Sequence, residues 1–476
     1  MKQVLFFTIF LCLFFDCFGK DWTFYNKNLE QPTRQLQLPL KVEFFGTMRN
    51  DAAWNSRTYI PGFVTDLSAW VPIDEDNALD ALYIFEPGVA AQRPLASIVN
   101  IAPLIGVNIE GPECGRFKYR GYIDCEFLPF GTYFTTEWVV PSTRTLFNTK
   151  MLINWAFIEG TLEPRHHMTD YCHSLILGLY NHPLVPTITF PRIVGYSLSA
   201  PIVPFAISPQ IKYGISCNGW TTKFTFFTEA LYQDAGFEDI FVSTLYARRA
   251  LVPQLNITTE FANDTLILGA GFNFQRIIPR ITIEPPTTVN APTLATQNES
   301  LISLAGQLYG MNDIGSFRFK WQGILGQNGF SWGQVMGYFV TQQDNNGGFS
   351  YKNILFASIW GDLESKYPLY GCFQPGIFIG YLGKLKNPSP VGVNCQCQPI
   401  LPETEVSGYF YNIGTGYQTI FKISPRCWWY YNQNLHVGLE FEFTATTSAD
   451  INHAGLKTNE TQAQLIRLVA SAQYNF

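Results

Sequence analysis

Charged side chains that alternate with apolar ones are the residues of this chain whose types and spacing could do chemistry. In "SFRFKW", Arg318 and Lys320 alternate with aromatic residues. In "LHVGLEFEFTAT", His436, Glu440 and Glu442 share one side of the pattern. Successive side chains of a β-strand point to opposite faces, so each segment predicts a strand with one charged and one apolar face. A charged face is suited to lining a water-filled passage that selects solutes by charge.

The residues on such polar faces are the candidates for lining a passage. Basic residues outnumber acidic ones among them, which predicts a mild preference for anionic or polar solutes. Arg248 and Arg249, in "YARRAL", are further candidates for its narrowest point, and only one of the two can face inward if both lie in a strand. The remaining candidates are Arg49, Asp51, Lys118, Arg120, Lys212, Arg318, Lys320, Lys422, Arg426, Glu440, Glu442 and Arg467.

Covalent catalysis is the alternative use of these groups. His436, Glu440 and Glu442 would share a face, and Ser424 would have to come from the neighbouring strand to complete a triad-like group. The sequence contains no G-x-S-x-G element. We therefore predict that the protein is not an enzyme.

Metal and cofactor sites are not predicted either. The pair His166 and His167 in "RHHM" follows a proline and is typical of a solvated turn. The "CQC" segment, with Cys395 and Cys397, lacks the C-x₂-C spacing that zinc sites favour. We interpret it as part of a disulfide in a long loop, because the chain carries export features and disulfides form in oxidising compartments.

The charged side chains are expected to lie on strands in which apolar and polar residues alternate. In "TLILGAGFNF" and "RFKYRGYIDCEF" the same alternation recurs over lengths near the roughly 9–11 residues that a tilted strand needs to cross a membrane. A soluble sandwich or propeller would also alternate. Charges in the middle of the polar faces favour instead a transmembrane barrel with a wet interior.

The last twelve positions, "LIRLVASAQYNF", give the same indication. Every second residue back from Phe476 is apolar, and Tyr474 is the next of them. Because backbone groups in lipid must all be paired, a membrane sheet has to close and its last strand has to pair with its first. The terminal aromatic resembles the signal that bacterial outer-membrane barrels present to their assembly machinery, which we expect to be a partner.

Composition agrees with this class. The chain has 476 residues, of which 14% are charged and 16% aromatic, and its formal net charge is −6. The absence of a basic run makes nucleic acid an unsuitable partner. Residues 1–19 read as a signal peptide, with Lys2 before a short apolar run. We expect a polar lead-in over 20–40 and one barrel domain over 41–476.

The connecting segments are of two kinds. "GPECG" (111–115) and "YNQN" (431–434) are short, whereas 283–300 and 386–405 are long and rich in proline or polar residues. Short turns at one end and long loops at the other are typical of membrane barrels. The expected fold is all-β: a closed antiparallel transmembrane β-barrel of about 16–18 strands, with short periplasmic turns and long external loops.

An ordered series of segments resembles the DcaP-like outer-membrane porins, especially their Bacteroidetes-type members, from about residue 40 to the end. The resemblance implies a homotrimer of barrels that pass small solutes. The chain lacks the heptad-rich N-terminal segment of some relatives. The segments are "VEFFGTMRNDAAWNSR" (42–57), "GLYNHP" (178–183), "SAPIVPFAISPQIKY" (199–213), "LGAGFNF" (268–274), "SLAGQLYG" (303–310), "WGQVMGYFV" (332–340), "GIFIGYLG" (376–383) and "FKISPRCWWYYNQNLHVGLEFEFTATT" (421–447).

Pattern and resemblance together predict a bacterial outer-membrane porin. It would allow passive diffusion of small polar solutes, anionic ones included, with outer-membrane lipid around it and no cofactor. Three alternatives remain open: a substrate-specific uptake channel, a barrel-embedded hydrolase and an exported β protein with a role in adhesion.

Overall fold

The structure is a computed structural model, and it describes the chain from Lys41 to Phe476 with gaps. The predicted signal peptide and lead-in, and both Arg248 and Arg249, lie outside the described residues, as do Cys395 and Cys397. The gaps are 57–58, 63–64, 73–94, 112–115, 130–148, 164–170, 186, 196–198, 229–249, 279–281, 284–294, 297–298, 344–348, 387–416 and 452–456.

Sixteen antiparallel strands form a closed barrel, within the predicted range. They follow chain order around the wall, and closure pairs the first strand with the last. The barrel strands are β1 (Lys41–Asn55), β4 (Leu95–Glu110), β5 (Phe117–Pro129), β6 (Thr149–Leu162), β7 (Cys172–Asn181), β8 (Ile207–Cys217), β9 (Trp220–Phe227), β10 (Gln254–Ala262), β11 (Leu266–Ile277), β14 (Leu301–Ile314), β15 (Phe317–Gln327), β18 (Leu355–Ser365), β19 (Phe373–Lys386), β20 (Tyr417–Tyr430), β21 (Leu435–Ile451) and β22 (Lys457–Asn475).

In the described part of the chain, three short hairpins lie outside the barrel sheet. Each joins two strands that are consecutive in the chain and pair only with each other. A single 3₁₀ turn, Gly329–Trp332, is the only helical element among the described residues. No described helix is long and apolar enough to cross a membrane. The hairpin strands are β2 (Tyr59–Gly62) with β3 (Thr65–Pro72), β12 (Thr282–Ile283) with β13 (Ala295–Thr296), and β16 (Tyr338–Gln343) with β17 (Phe349–Asn353).

The C-terminal strand closes the barrel in the way its alternation predicts. β22 pairs with β1 so that Asp51 lies opposite Ser471 and Ala52 opposite Ala470. Gly46 and Phe476 exchange two backbone hydrogen bonds of 2.9 and 3.0 Å. A Cβ at Gly46 would lie 2.4 Å from the ring of Phe476. Glycine at this position therefore lets the terminal aromatic ring lie flat against the first strand.

The alternation divides each strand into an inner and an outer face. Large apolar side chains such as Ile158, Ile359 and Leu439 are exposed on the outside. Polar and charged side chains from the same strands point inward, and many of them are buried. An apolar exterior around a polar interior is the surface that lipid requires of a membrane-spanning sheet.

Connections differ between the two ends of the barrel. Short turns, including 218–219, 263–265, 315–316 and 431–434, lie at the end that also holds Phe476. Most connections at the opposite end are long, including 182–206, 228–253 and 387–416, and the exception is 452–456. The predicted division into short turns and long loops is confirmed. We call these ends the turn end and the loop end.

Two loop-end segments fold back into the barrel. The first inserted segment is residues 182–206, between β7 and β8, and the second is residues 328–337, after β15. Leu184 and Ile202 of the first pack with Trp332 and Val335 of the second, and all four are fully buried. Inward residues of β18 and β19, such as Phe356 and Phe378, complete this apolar core. The core fills the side of the lumen next to β14–β20.

The described cysteines do not form disulfides. Cys125, Cys172, Cys217, Cys372 and Cys427 are free thiols. Cys172 pairs in register with Ser216, so its side chain shares a face with Ser216 and points away from Cys217. The disulfide predicted for Cys395 and Cys397 lies outside the described residues.

Candidate functional site

The inner wall of β15–β22 carries charged pairs that are shut off from water. Lys422 Nζ lies 3.1 Å from Glu442, and their side chains are 0% and 1% exposed. Arg426 contacts Asp362 through two nitrogen–oxygen distances of 2.7 and 2.9 Å, and this pair is equally buried. Buried charges of this kind are tolerated only when they are ion-paired and hydrogen-bonded. Because these pairs are out of contact with water, another part of the chain must cover them. We call this wall the sealed wall.

The first inserted segment covers this wall, and the charges hold its backbone. Lys422 donates a hydrogen bond to the carbonyl of Ala200 at 3.0 Å. Lys320, which pairs with Glu364 at 2.6 Å, also donates to the carbonyl of Phe190 at 3.3 Å. These bonds use main-chain groups, so they fix the path of the segment independently of its side chains.

The centre of this attachment is Glu440. Its Oε2 accepts backbone N–H groups from Val194 at 2.6 Å and Gly195 at 2.7 Å. Its Oε1 accepts a short hydrogen bond from the hydroxyl of Ser424. Arg49, paired with Asp51 at 2.6 Å, donates to the carbonyl of Val194. One turn of the segment is therefore held by a carboxylate from β21 and a guanidinium from β1, the strands on either side of β22.

The second inserted segment is hydrogen-bonded to the first at the loop end of the barrel. Gln334 donates to the carbonyl of Ile202 at 2.6 Å, and the N–H of Phe205 donates to the carbonyl of Trp332 at 2.9 Å. Gly333 has φ +81, and a Cβ there would lie 2.4 Å from the carbonyl oxygen of Phe205. Glycine is required at this contact because a larger residue would push the two segments apart.

The opposite wall, β5–β9, is different because its charged side chains remain in contact with water. Arg120 pairs with Glu159 at 2.6 Å while 48% of its side chain is exposed. Lys118 and Glu163 pair at 2.7 Å and are both 45% exposed. Arg120 and Glu159 lie opposite each other on the inner faces of β5 and β6, so the water that they contact is inside the barrel. Lys118 and Glu163 lie at its turn end. We call this the open wall.

The edge of the first inserted segment faces the same space. Thr187, Ile188 and Arg192 are exposed, whereas Val185, Thr189 and Ile193 of the same segment are buried. Thr187 hydrogen-bonds Tyr180 of β7, so the segment meets the open wall there. Arg192 donates to Gln374 at 3.0 Å and lies over the rings of Trp428 and Tyr430. The open wall and the edge of the segment therefore both present exposed polar side chains to the interior of the barrel.

The predicted site residues divide between these two walls. Those that lie inward on the sealed side are Arg49, Asp51, Lys320, Lys422, Arg426, Glu440, Glu442 and Arg467, and Glu442 lies opposite Arg467 in register. Lys118, Arg120 and Lys212 lie on the open wall, and Arg318 pairs with Asp313 near the turn end. The sequence placed all of them inward, and their role in lining a passage stays a prediction.

The triad considered from the sequence is not assembled. Ser424 contacts Glu440, whereas His436 Nε2 lies 2.8 Å from the side-chain nitrogen of Asn475 and its ring packs beside Tyr430. Within the described part of the chain, no cluster of His, Cys, Asp and Glu has the makings of a metal site.

Sequence reasoning missed the inserted segments and the role of Arg192. The signal that could have revealed the first segment is the run "HPLVPTITFPRIVGYSLSAPIVPF" between two alternating strands. The run is apolar and rich in proline, and it shows no period of two. Such a composition favours a buried, irregular path over a solvated loop.

These features define the class of the protein. A closed antiparallel barrel with an apolar outer face, a charged interior, short turns and long loops is the architecture of a transmembrane β-barrel of the bacterial outer membrane. The protein lies in the bacterial outer membrane, where the turn end faces the periplasm.

Comparison with solved structures gives the same architecture. An anion-selective porin from Comamonas acidovorans is similar with a TM-score of 0.51 at 9% identity, over 92% of this chain and 100% of that one. OmpT of Vibrio cholerae has a TM-score of 0.49 at 9% identity, over 92% and 98%. OmpF of Salmonella typhi in complex with daunomycin has 0.48 at 10%, over 92% and 98%. No family model and no curated protein matches the chain.

Proposed function

We propose that the protein is a porin through which small polar solutes diffuse passively along the open wall. The observation that carries the proposal is the contrast in exposure between the two walls. Arg120 and Lys118 are about half exposed inside the barrel, whereas Lys422 and Arg426 are sealed. The inserted segments therefore fill one side of the lumen and leave a polar route on the other.

The charges of that route support weak ion selectivity. Arg120 and Lys118 are each neutralised by a carboxylate within hydrogen-bonding distance, and Lys223 lies 3.9 Å from Glu260. Lys212 contacts the ring of Tyr180, and no carboxylate among the described residues is paired with it. The balance gives a mild preference for anions, because selectivity follows the net charge that lines the passage.

Liposome swelling tests the proposal. Folded protein, identified by migration that changes on boiling, is reconstituted and challenged with glycine and with polyethylene glycols of increasing size. We expect fast swelling with glycine and slower swelling as the solute grows. Boiled protein serves as the control. Swelling with glycine no faster than in that control would refute the proposal.

Three narrower statements belong to the same proposal. The resemblance to DcaP-like porins and the homotrimer it implies, recognition of Phe476 by the assembly machinery, and the absence of catalysis all stay predictions. Conductance steps that occur in groups of three would support the homotrimer. Unchanged conductance in His436→Ala would agree with a channel that needs no catalytic histidine.

A further inference from the structure

A group of aromatic rings interrupts the polar open wall. Tyr122 of β5 packs against Phe157 and Trp155 of β6 at ring-centroid distances of 5.3 and 5.8 Å. Tyr180 of β7 continues the group, 5.0 Å from Phe157 and 5.8 Å from Trp155. Phe45 of β1 lies 5.4 Å from Tyr122 at the other end. All lie on the inner face, so lipid does not account for them.

The rings are held in place by polar partners. The hydroxyl of Tyr122 donates to Asp124 at 3.1 Å, and the indole N–H of Trp155 donates to Asn181 at 2.9 Å. Tyr122, Trp155 and Tyr180 are nevertheless partly exposed, whereas Phe157 beneath them is buried. The result is a fixed apolar surface that is open to water inside the barrel.

Donors and acceptors lie directly beside this surface. The Arg120–Glu159 pair is formed by residues opposite each other in register on β5 and β6. The Arg120 guanidinium carbon lies 5.7 Å from the centroid of Phe157, and Lys212 Nζ lies 4.3 Å from that of Tyr180. The guanidinium and ammonium offer N–H donors, and the carboxylate offers acceptors. Because Arg120 and Glu159 neutralise each other, the pair serves a neutral ligand better than an ion.

From this juxtaposition we propose that the ring surface of Tyr122, Trp155 and Tyr180, with the Arg120–Glu159 pair, is a binding site for neutral carbohydrate. The apolar C–H face of a sugar ring stacks on an aromatic face, while its hydroxyls both donate and accept hydrogen bonds. Ligand sites combine such apolar surfaces with a few fixed polar groups. The inference rests on the proposed porin function and names a solute class that the passage retains.

Single-channel current measures this binding. Maltotriose is titrated against the protein in a planar bilayer, and a polyethylene glycol of matched size is titrated separately. We expect saturable block by maltotriose and no saturable block by the polyethylene glycol, which has no ring face. Tyr122→Leu should raise the half-blocking concentration roughly fivefold, which corresponds to about 1 kcal/mol of stacking.

Two variants separate stacking from structural damage. Tyr122→Phe keeps the ring and should retain most of the block. Tyr381→Leu removes a tyrosine from the lipid-facing side, where it is 43% exposed, and should leave the block at its wild-type value. Equal block by maltotriose in wild type and Tyr122→Leu would overturn the inference, and so would identical behaviour of maltotriose and the polyethylene glycol.

Failure of the porin function is distinguishable from failure of the sugar site. A current without maltotriose block rejects the sugar site alone. If no current is observed, the porin proposal fails. Calorimetric titration of maltotriose into folded protein in detergent then tests the site directly, and an absence of binding heat overturns it.

Discussion

Glu440 accepts a hydrogen bond of 2.6 Å from the backbone N–H of Val194, across 246 positions of sequence. The carboxylate belongs to the barrel wall, and the N–H belongs to the first inserted segment. This bond, together with its partner from Gly195, explains how a proline-rich run without regular secondary structure keeps a fixed path inside a barrel. In the proposed porin, the width of the passage then depends on side chains such as Glu440 that are buried away from it.

Removal of the Glu440 charge should loosen the first inserted segment. Hydrogen bonds to a charged group are worth about 1.5–3 kcal/mol each, and Glu440→Gln weakens the two that hold the segment, from Val194 and Gly195. We expect the open-channel current of Glu440→Gln to be noisier than that of wild type, as recorded in planar bilayers. Glu163→Gln, on the open wall, is the matched control. Equal noise in Glu440→Gln and wild type would show that the segment is held by other contacts.

Buried and exposed ion pairs should differ in their contribution to stability. Arg426→Met leaves Asp362 without its partner on the sealed wall and should cost about 3–5 kcal/mol of unfolding free energy. Arg120→Met breaks an exposed pair and should cost about 0–1 kcal/mol. The measurement is the urea dependence of the folded fraction, read from migration before boiling. Similar losses for the two variants would contradict the division into sealed and open walls.

Lys212 should set much of the ion selectivity. It lies on the open wall, and a negative charge in its place reverses the local field. We expect Lys212→Glu to shift the reversal potential in a salt gradient toward cation selectivity. Lys352→Glu makes the same charge change at an exposed residue of β17, outside the barrel sheet. If both variants shift the reversal potential alike, surface charge rather than the passage determines selectivity.

Acid should loosen the packing around His182. Burial, with a smaller effect of Lys212, lowers the pKa of His182 to about 3, below the value of about 6.5 in an unfolded chain. Its contribution to stability is therefore complete above pH 6.5 and is lost as the pH falls toward 3. We expect current noise to rise between pH 7 and pH 4 in wild type. His182→Asn, which does not titrate, should show a smaller rise, and an equal rise would assign the effect to other groups.

The barrel was accessible from sequence because alternation is a local property. Phe317 and Arg318 fall on opposite faces whatever the rest of the chain does, and β22 needed only the pattern before Phe476. The solvent exposure of each inward charged side chain, in contrast, does not depend on its neighbours in the sequence. Lys422 and Lys118 look alike in sequence, yet Lys422 is sealed because Ala200, far away in the chain, lies against it. The cover over one wall could not be predicted without the path of the inserted segment.

The cluster of aromatic rings on the open wall could not be predicted from the sequence either. Tyr122, Trp155 and Tyr180 come from three strands separated by long or undescribed connections. Their contact depends on the register of β5, β6 and β7, which places Tyr122 opposite Phe157 and Asp124 opposite Trp155 just before a bulge at Cys125. Register shifts of this kind leave no dependable mark in a single sequence.

Narrowing the open wall tests most directly the claim that solutes pass there. Single-channel conductance is compared for wild type, Arg120→Trp and Ile359→Trp, the last of which adds the same bulk on the lipid-facing side. We expect conductance steps of equal size for wild type and Ile359→Trp, and a smaller step for Arg120→Trp. Wild-type conductance in Arg120→Trp, or no steps from folded wild-type protein, would contradict it.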